Sequence, residues 1–162
     1  MKVKDLMTAD AKACLPSSSL AEAAWLMWEN DCGVVPVVTE EGKVCGLITD
    51  RDICMAATTQ GRAPSNIAVE EIVSGDVFAC QPGDDVHDAL KAMREHKVMR
   101  LPVVAEDGSL EGILSMNDVV LNAKESGGKK TTELAFHDVV DTFKSICEHR
   151  QTTKHSQATA GS

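Results

Sequence analysis

Apolar and polar positions follow the same order twice along the chain. In the first half, Ser18 or Ser19 precedes an apolar stripe at helical spacing, and two short apolar runs, VVPVVT and VCGLIT, then flank EEGK. A hydroxyl before such a stripe is typical of a helix N-cap, and two apolar runs around a glycine-containing turn are typical of a β-hairpin. The hydroxyl of Thr49 then predicts the start of a second helix. The stripe consists of Leu20, Ala23, Ala24 and Met27, with Trp28 at its edge.

The second half repeats this pattern. Asp84 or Asp85 precedes a stripe, the runs RLPVVA and LEGILS flank EDGS, and Ser115 opens the last helix of the unit. A gapless shift of 66 residues aligns residues 5–53 with residues 71–119. Register that holds over such a length indicates two copies of one β-α-β-β-α unit. The second stripe consists of Val86, Ala89, Leu90 and Met93.

Each unit is too small to cover both faces of its own sheet, so the two copies are expected to pack against each other. The sequence therefore predicts an α+β fold in which two tandem repeats form a pseudo-twofold pair, with clefts along their seam. The expected organisation is a first repeat, a second repeat, a linker with a C-terminal helix, and a disordered polar tail, at residues 1–62, 63–123, 124–150 and 151–162.

A further helix is predicted beyond the repeats. Gly127 and Gly128 interrupt the preceding helix. The segment after them carries apolar residues at helical spacing, namely Leu134, Phe136, Val139, Val140, Phe143, Ile146 and Cys147. Such an amphipathic helix needs an apolar surface to cover. The sequence leaves two surfaces open to it, the chain's own repeats or a second copy of the chain.

Charge and cysteine usage restrict the partners and the compartment. The chain of 162 residues carries a formal net charge of −9 at pH 7, which argues against a surface that neutralises nucleic acid or anionic lipid. No apolar stretch approaches the roughly 18 residues of a membrane-spanning helix. The six cysteines form no CxxC pair, so a reducing, cytoplasmic location with thiols packed in the core is expected. Nucleic acid and membranes are therefore not expected as partners.

Two phrases of the sequence resemble a known family. GVVPVVTEEGKVCGLITDRDI and VMRLPVVAEDGSLEGILSMNDV look like the two halves of a CBS domain pair, also called a Bateman module, and the resemblance covers residues 1 to about 123. It implies a regulatory module that holds AMP, ADP, ATP or a related adenosine nucleotide between the repeats, with no cofactor required. It also implies a homodimer and, because no output domain is recognised on this chain, action on a separate effector protein.

The resemblance implies two ligand clefts. One would use Ser115, Asn117 and Asp118, with Ala9, Cys32 and Gly33 across the seam. The other would use Thr49, Arg51 and Asp52, with Gly75, Val98 and Met99 opposite. In the family, the hydroxyl and aspartate that open the second helix bind phosphate and ribose, and the other repeat encloses the base.

The chemistry of these residue types agrees with those roles. A helix N-terminus offers unpaired amides to a phosphate, and a carboxylate accepts hydrogen bonds from both hydroxyls of a ribose. A hydroxyl and an acid three residues apart also form a capping box, which fixes a helix start without any ligand. Both roles can coexist in one aspartate.

Arg100 favours the cleft built on Ser115 over the other. Arginine is a permanently charged, bidentate donor for phosphate, and AMP-sensing members of the family use an arginine at the matching place. The alternative is that Arg100 and Lys97 pair with Glu95 or Glu106 on an exposed face, where ion pairs contribute little.

Catalysis is not expected. The five histidines and six cysteines could supply a nucleophile and its base, but no GxSxG, HExxH, Walker-type or GxGxxG motif orders them. A redox- or metal-responsive module, or a purely structural association module, stays open as the alternative function. It rests on Cys32 and Cys45, in or beside the first hairpin, and on Cys147, which lies close to His149.

Overall fold

The computed structural model describes residues 1–73, 75–125 and 133–148. Three sequence predictions fall outside these residues: the helix interruption by the glycines at 127–128, the pairing of Cys147 with the histidine at 149, and the disorder of the tail at 151–162.

The described elements follow the predicted order through all of the first repeat and, in the second repeat, from its first helix onward. The first repeat contributes β1 (Thr8–Ala9), α1 (Leu20–Glu29), β2 (Val34–Val38), β3 (Val44–Thr49) and α2 (Asp50–Thr59). The second repeat contributes α3 (Val86–His96), β4 (Arg100–Val104), β5 (Leu110–Ser115) and α4 (Met116–Asn122), and α5 (Phe136–Cys147) follows. The two helices and the hairpin of one repeat start 66 residues before their counterparts in the other, which confirms the predicted α+β fold of two tandem repeats.

The helices of the repeats begin at hydroxyl or acidic caps. The capping residues are Ser19 for α1, Thr49 for α2, Asp85 for α3 and Ser115 for α4. Along the predicted stripe of α1, Leu20, Ala23 and Met27 are buried. Trp28 is 80% exposed, because one step beyond Met27 turns a helix by about 100° and leaves the buried face.

Two antiparallel hairpins, β2–β3 and β4–β5, meet at the seam. Their turns contain Gly42 and Gly108 at φ of +79° and +85°, a conformation that glycine adopts without steric cost. The amide of Val44 donates to the carbonyl oxygen of Gly108 at 3.1 Å, and the amide of Leu110 donates to that of Gly42 at 3.2 Å. Because these two bonds exchange under the 66-residue shift, the repeats are related by an approximate twofold axis.

The first segment of each repeat packs in the core of the other repeat. Val3 and Leu6 lie in the core of the second repeat, and Ile67 and Val69 lie in the core of the first. The predicted boundary between residues 62 and 63 therefore separates two sequence copies, whereas the two hydrophobic cores extend across it.

The C-terminal helix α5 packs against α3 and α4 of its own chain. Across this contact, Arg94 Nη1 donates to Thr142 Oγ1 at 3.0 Å, and Lys97 Nζ donates to the carbonyl oxygen of Glu148 at 2.9 Å. Of the two surfaces that the sequence left open, the helix covers the chain's own repeat. Its contribution to the core comes from Val139, Phe143 and Ile146, with Leu134 just before it.

Replacing Thr142 with valine is expected to lower the free energy of unfolding by about 1 kcal/mol, because Arg94 loses a hydrogen-bond acceptor at a buried contact. Thr142 is fully buried, and its hydroxyl also donates to the carbonyl oxygen of Asp138 at 2.7 Å. Thr59→Val is the matched control, since the exposed Thr59 donates in the same way to the carbonyl oxygen of Met55 and has no side-chain partner among the described residues. Equal losses for both variants in urea denaturation would contradict a specific role of the Arg94 contact.

The cysteines are distributed differently from the prediction. Cys14 and Cys80 are buried, and burial raises the pKa of the Cys14 thiol to about 11 and that of Cys80 to about 12. Core packing was wrong for the other four thiols: Cys45 is on the solvent face of a strand, Cys54 and Cys147 are on the solvent sides of helices, and Cys32 lies in the α1–β2 connection. The exposed thiols are Cys32, Cys45, Cys54 and Cys147.

Candidate ligand-binding clefts

Two clefts open along the seam. The first cleft has a volume of about 380 Å³ and lies between the segment after β1, the α1–β2 connection and the start of α4. The second cleft has a volume of about 290 Å³ and lies between β3, Val73 with residues 75–78, and the α3–β4 connection. These volumes are near the lower end of the range of small-molecule sites, roughly 300–1,000 Å³.

Most residues that the resemblance assigns to the first cleft line it. They are Cys32, Gly33, Arg100, Ser115, Asn117 and Asp118. The structure does not bring Ala9 into this lining, although Ala9 pairs with Gly112 in the β1–β5 ladder next to the cleft. Its neighbours Thr8 and Asp10 line the cleft instead, as expected where successive residues of a strand face opposite sides.

The second cleft contains part of its assigned set, namely Thr49, Gly75, Val98 and Met99. Arg51 and Asp52 do not line it. Arg51 is exposed on α2, and Asp52 is held in the helix cap. Arg100 and Met99 line both clefts.

The starts of α2 and α4 both carry a capping box, the structural role that the sequence left open for Asp52 and Asp118. The amide and hydroxyl of Ser115 donate to Asp118 Oδ2 at 2.7 and 2.6 Å, and the amide of Asp118 donates back to Ser115 Oγ at 3.3 Å. The amide and hydroxyl of Thr49 donate to Asp52 Oδ2 at 2.9 and 2.7 Å. The two aspartates are therefore matched in structure, and Asp118 alone of the two lines a seam cleft.

The start of α4 offers fewer amides to a phosphate than the sequence suggested. The amide of Met116 donates to the carbonyl oxygen of Met99 at 2.9 Å, and the amide of Asp118 is bonded to Ser115. Because these amides already have partners, side-chain cations must carry most of the attraction for an anion.

Arg100 is placed to act as such a cation. Its Nη2 lies 3.6 Å from the position that a Cβ on Gly33 would occupy, and Asp50 Oδ2 lies 2.8 Å from the same point. Within the described residues, Arg100 forms no ion pair. The alternative pairing with Glu95 or Glu106 is therefore wrong for this structure.

Glu95 and Lys97, which the sequence left as possible members of an exposed ion-pair cluster with Arg100, have other partners. Glu95 lies 3.8 Å from Lys91, and Lys97 donates to the carbonyl oxygen of Glu148. The two cations of the α3–β4 region therefore differ in their contacts. Lys97 binds the residue that follows α5, and Arg100 lines the clefts.

Three charged residues line the first cleft without having been predicted, Asp10, Lys12 and Asp31. Asp10 and Asp31 adopt φ of +56° and +47°, a left-handed conformation that aspartate tolerates better than most residues. An aspartate directly after a predicted strand or helix was the available signal. Lys12 lies in an irregular segment and had none.

The described residues contain neither a group of three metal-ligating side chains nor a membrane-spanning helix. Across residues 1–73, 75–125 and 133–148, no three histidine, cysteine, aspartate or glutamate side chains are grouped to hold a metal ion. In the same residues, no helix is long and apolar enough to cross a bilayer.

Two interlocked repeats with clefts at their seam define a tandem-repeat ligand-binding module. The chain belongs to the CBS domain family, whose sequence profile matches residues 3–58 and 69–125. It is similar to the CBS domain-containing protein YhcV of Bacillus subtilis, with 34% identity over 139 residues that cover 85% of this chain and 97% of YhcV.

Solved structures of related proteins contain different ligands. Hypoxic Response Protein I with two coordinated zinc ions matches with a TM-score of 0.69 and 27% identity, over 76% of this chain and 100% of that one. CBSX2 in complex with AMP matches with a TM-score of 0.62 and 26% identity, over 74% of this chain and 93% of that one.

Proposed function

We propose that this protein is a regulatory module that binds an adenosine nucleotide in the first cleft and transmits its occupancy to a separate effector protein. The observation that carries the proposal is the position of Arg100, which lines a seam cleft together with Asp118 and has no ion pair among the described residues. The AMP complex of the related CBSX2 supports the choice of ligand.

Each part of the nucleotide has a partner of suitable chemistry in the first cleft. Arg100 and Lys12 attract the phosphate, and arginine can do so with two parallel hydrogen bonds. Asp118 accepts from the ribose hydroxyls while its Oδ2 continues to cap α4. Val34 and Met99 give the adenine ring an apolar surface.

The charge balance of the first cleft favours a monophosphate. Its lining carries two cations, Lys12 and Arg100, and three acids, Asp10, Asp31 and Asp118. Each additional phosphate brings negative charge towards these acids without a further cation, so AMP is proposed to bind more tightly than ADP or ATP.

The proposal includes the setting in which the module works. It acts without a catalytic step and without a required cofactor, in the cytoplasm, and the ligand changes the geometry of the repeats or of a dimer. A ligand can shift such an equilibrium only through different affinities for the two states, so the effector must distinguish the occupied form from the empty form.

A homodimer through α1 and α2 of the first repeat is the proposed assembly. Trp25, Trp28 and Met55 are 61%, 80% and 50% exposed on these helices. The equivalent surface of the second repeat is covered by α5, which contacts Arg94, the residue 66 positions after Trp28. Exposed tryptophans are enriched at protein interfaces, and a self-complementary contact on this face would bury them.

Asp118→Ala and Asp52→Ala test the assignment as a matched pair. Each removes one capping box, so each is expected to lower the free energy of unfolding by about 1 kcal/mol. Asp118→Ala is also expected to weaken AMP binding about tenfold through lost hydrogen bonds to the ribose, whereas Asp52→Ala leaves the affinity unchanged. Calorimetric titration with AMP and urea denaturation measure the two effects. Equal losses of affinity in both variants would contradict the choice of the first cleft.

A thiol- or metal-responsive module is the second candidate. Cys32 and Cys54 are exposed and line one surface groove between α1 and α2, together with Asp31 and Asp50, and a structural relative coordinates zinc. This candidate predicts a response to zinc that persists when no adenosine compound binds.

A further inference from the structure

The two clefts are not independent, because they share residues at the middle of the seam. Val34, Met99 and Arg100 line both of them. Val34 and Met99 are apolar, so their contribution to one ligand leaves their contribution to another largely intact. A charged group is different, since its hydrogen bonds can be directed to one anion at a time.

Arg100 is the charged residue in question, and the second cleft has no other cation in the described part of the chain. Among the described residues, the other charged residue that lines the second cleft is Asp76. The first cleft has Lys12 in addition to Arg100. An anion in the second cleft therefore depends on Arg100 more strongly than an anion in the first.

The guanidinium is closer to the first cleft in this structure. Its Nη2 lies beside Gly33, which lines the first cleft and not the second. The planar guanidinium presents its donors in one fixed fork, so bidentate contact with a phosphate on one side of the seam directs that fork away from the other side.

We propose that Arg100 couples the two clefts negatively for anionic ligands: a phosphate bound in one cleft removes the cation that the other cleft needs. This inference rests on the proposed function and extends it to how the two sites respond together. An anionic ligand binds the first cleft before the second, because Lys12 adds a second cation to the first cleft. Adenosine, which has no phosphate, binds the two clefts without this coupling.

Two plugged variants separate the sites. Ala11 lines the first cleft and Val77 lines the second, so Ala11→Trp and Val77→Trp each fill one cleft and leave the other open. Calorimetry with AMP on Ala11→Trp then measures the second cleft while no phosphate occupies the first. We expect this affinity to be at least about fivefold higher than that of the second AMP bound by the wild-type protein, the lower end of ordinary allosteric coupling. The same comparison with adenosine is expected to show no difference.

Arg100→Gln provides a test that does not depend on the plugged variants folding. It is expected to weaken AMP in both clefts and to bring the ratio of the two stepwise AMP constants to the ratio measured for adenosine. Equal, uncoupled AMP affinities in the wild-type protein, or no AMP binding by a folded Ala11→Trp variant, would overturn the coupling and leave the proposed function intact. A wild-type protein that binds neither AMP nor adenosine would overturn the proposed function and this inference together.

Discussion

Replacing Arg100 with alanine is expected to weaken AMP binding about 10- to 100-fold, the equivalent of roughly 1.5–3 kcal/mol for hydrogen bonds to a charged group. Arg100 lines both clefts and forms no ion pair among the described residues. Its loss therefore removes the proposed phosphate contact and breaks no ion pair among the described residues. The free energy of unfolding is expected to change by less than about 0.5 kcal/mol, as for ordinary surface substitutions.

Lys97→Ala is the control for Arg100→Ala. Lys97 carries the same charge three residues earlier, but it donates to the carbonyl oxygen of Glu148 and lines neither cleft. Calorimetry with AMP is expected to give the wild-type affinity for this variant. A similar loss of affinity in both variants would show that the affinity for AMP depends on the overall charge of the region. That result would contradict a specific role of Arg100.

Replacing Gly112 with alanine is expected to destabilise the protein by about 2–3 kcal/mol, the upper part of the range for overpacking. A Cβ on Gly112 would lie 2.5 Å from the carbonyl oxygen of Thr8 and 3.3 Å from the sulfur of Met7. The obstacle is backbone, so the alanine methyl must push β1 away from β5. Because the N-terminal segment carries Val3 and Leu6 into the core of the second repeat, this displacement affects packing as well as strand pairing.

Gly46→Ala is the matched control, because Gly46 holds the equivalent position in the first repeat. A Cβ there would overlap the Cγ1 methyl of Val73, a side-chain atom that a small shift or rotamer change can move. Urea denaturation is expected to show a smaller loss for Gly46→Ala than for Gly112→Ala. If the two losses are equal, the crossing of the N-terminal segment over β5 does not contribute to stability in the way described.

The hairpins and the helix caps were predictable because local signals determine them, and the repeat was predictable because residues 5–53 and 71–119 align without a gap. Each helix of the repeats has a capping side chain that acts within three residues of itself, and the four caps are Ser19, Thr49, Asp85 and Ser115. The exchange of segments between repeats was not predictable. Val3 is apolar whichever core it enters, and nothing within its own segment identifies the second repeat as its partner.

The candidate site shows the same division between local and long-range information. Ser115 and Asp118 follow from a local motif, and the structure places both at the first cleft. The resemblance assigned Asp52 and Asp118 to equivalent places in two clefts and Arg100 favoured the cleft of Asp118, but the sequence did not show that Asp52 lines neither seam cleft. Lys12 enters the first cleft because the chain crosses to the second repeat through β1, which depends on tertiary packing.

The central claim is tested most directly by thermal denaturation of ligand-stripped protein with AMP, ADP, ATP, NAD, S-adenosylmethionine and zinc chloride. A ligand that binds the native state raises the unfolding temperature by mass action. We predict that AMP gives the largest rise and that the rise is lost in Arg100→Ala. No rise with any adenosine compound would contradict the nucleotide-binding function, and a rise with zinc alone would favour the metal-responsive candidate.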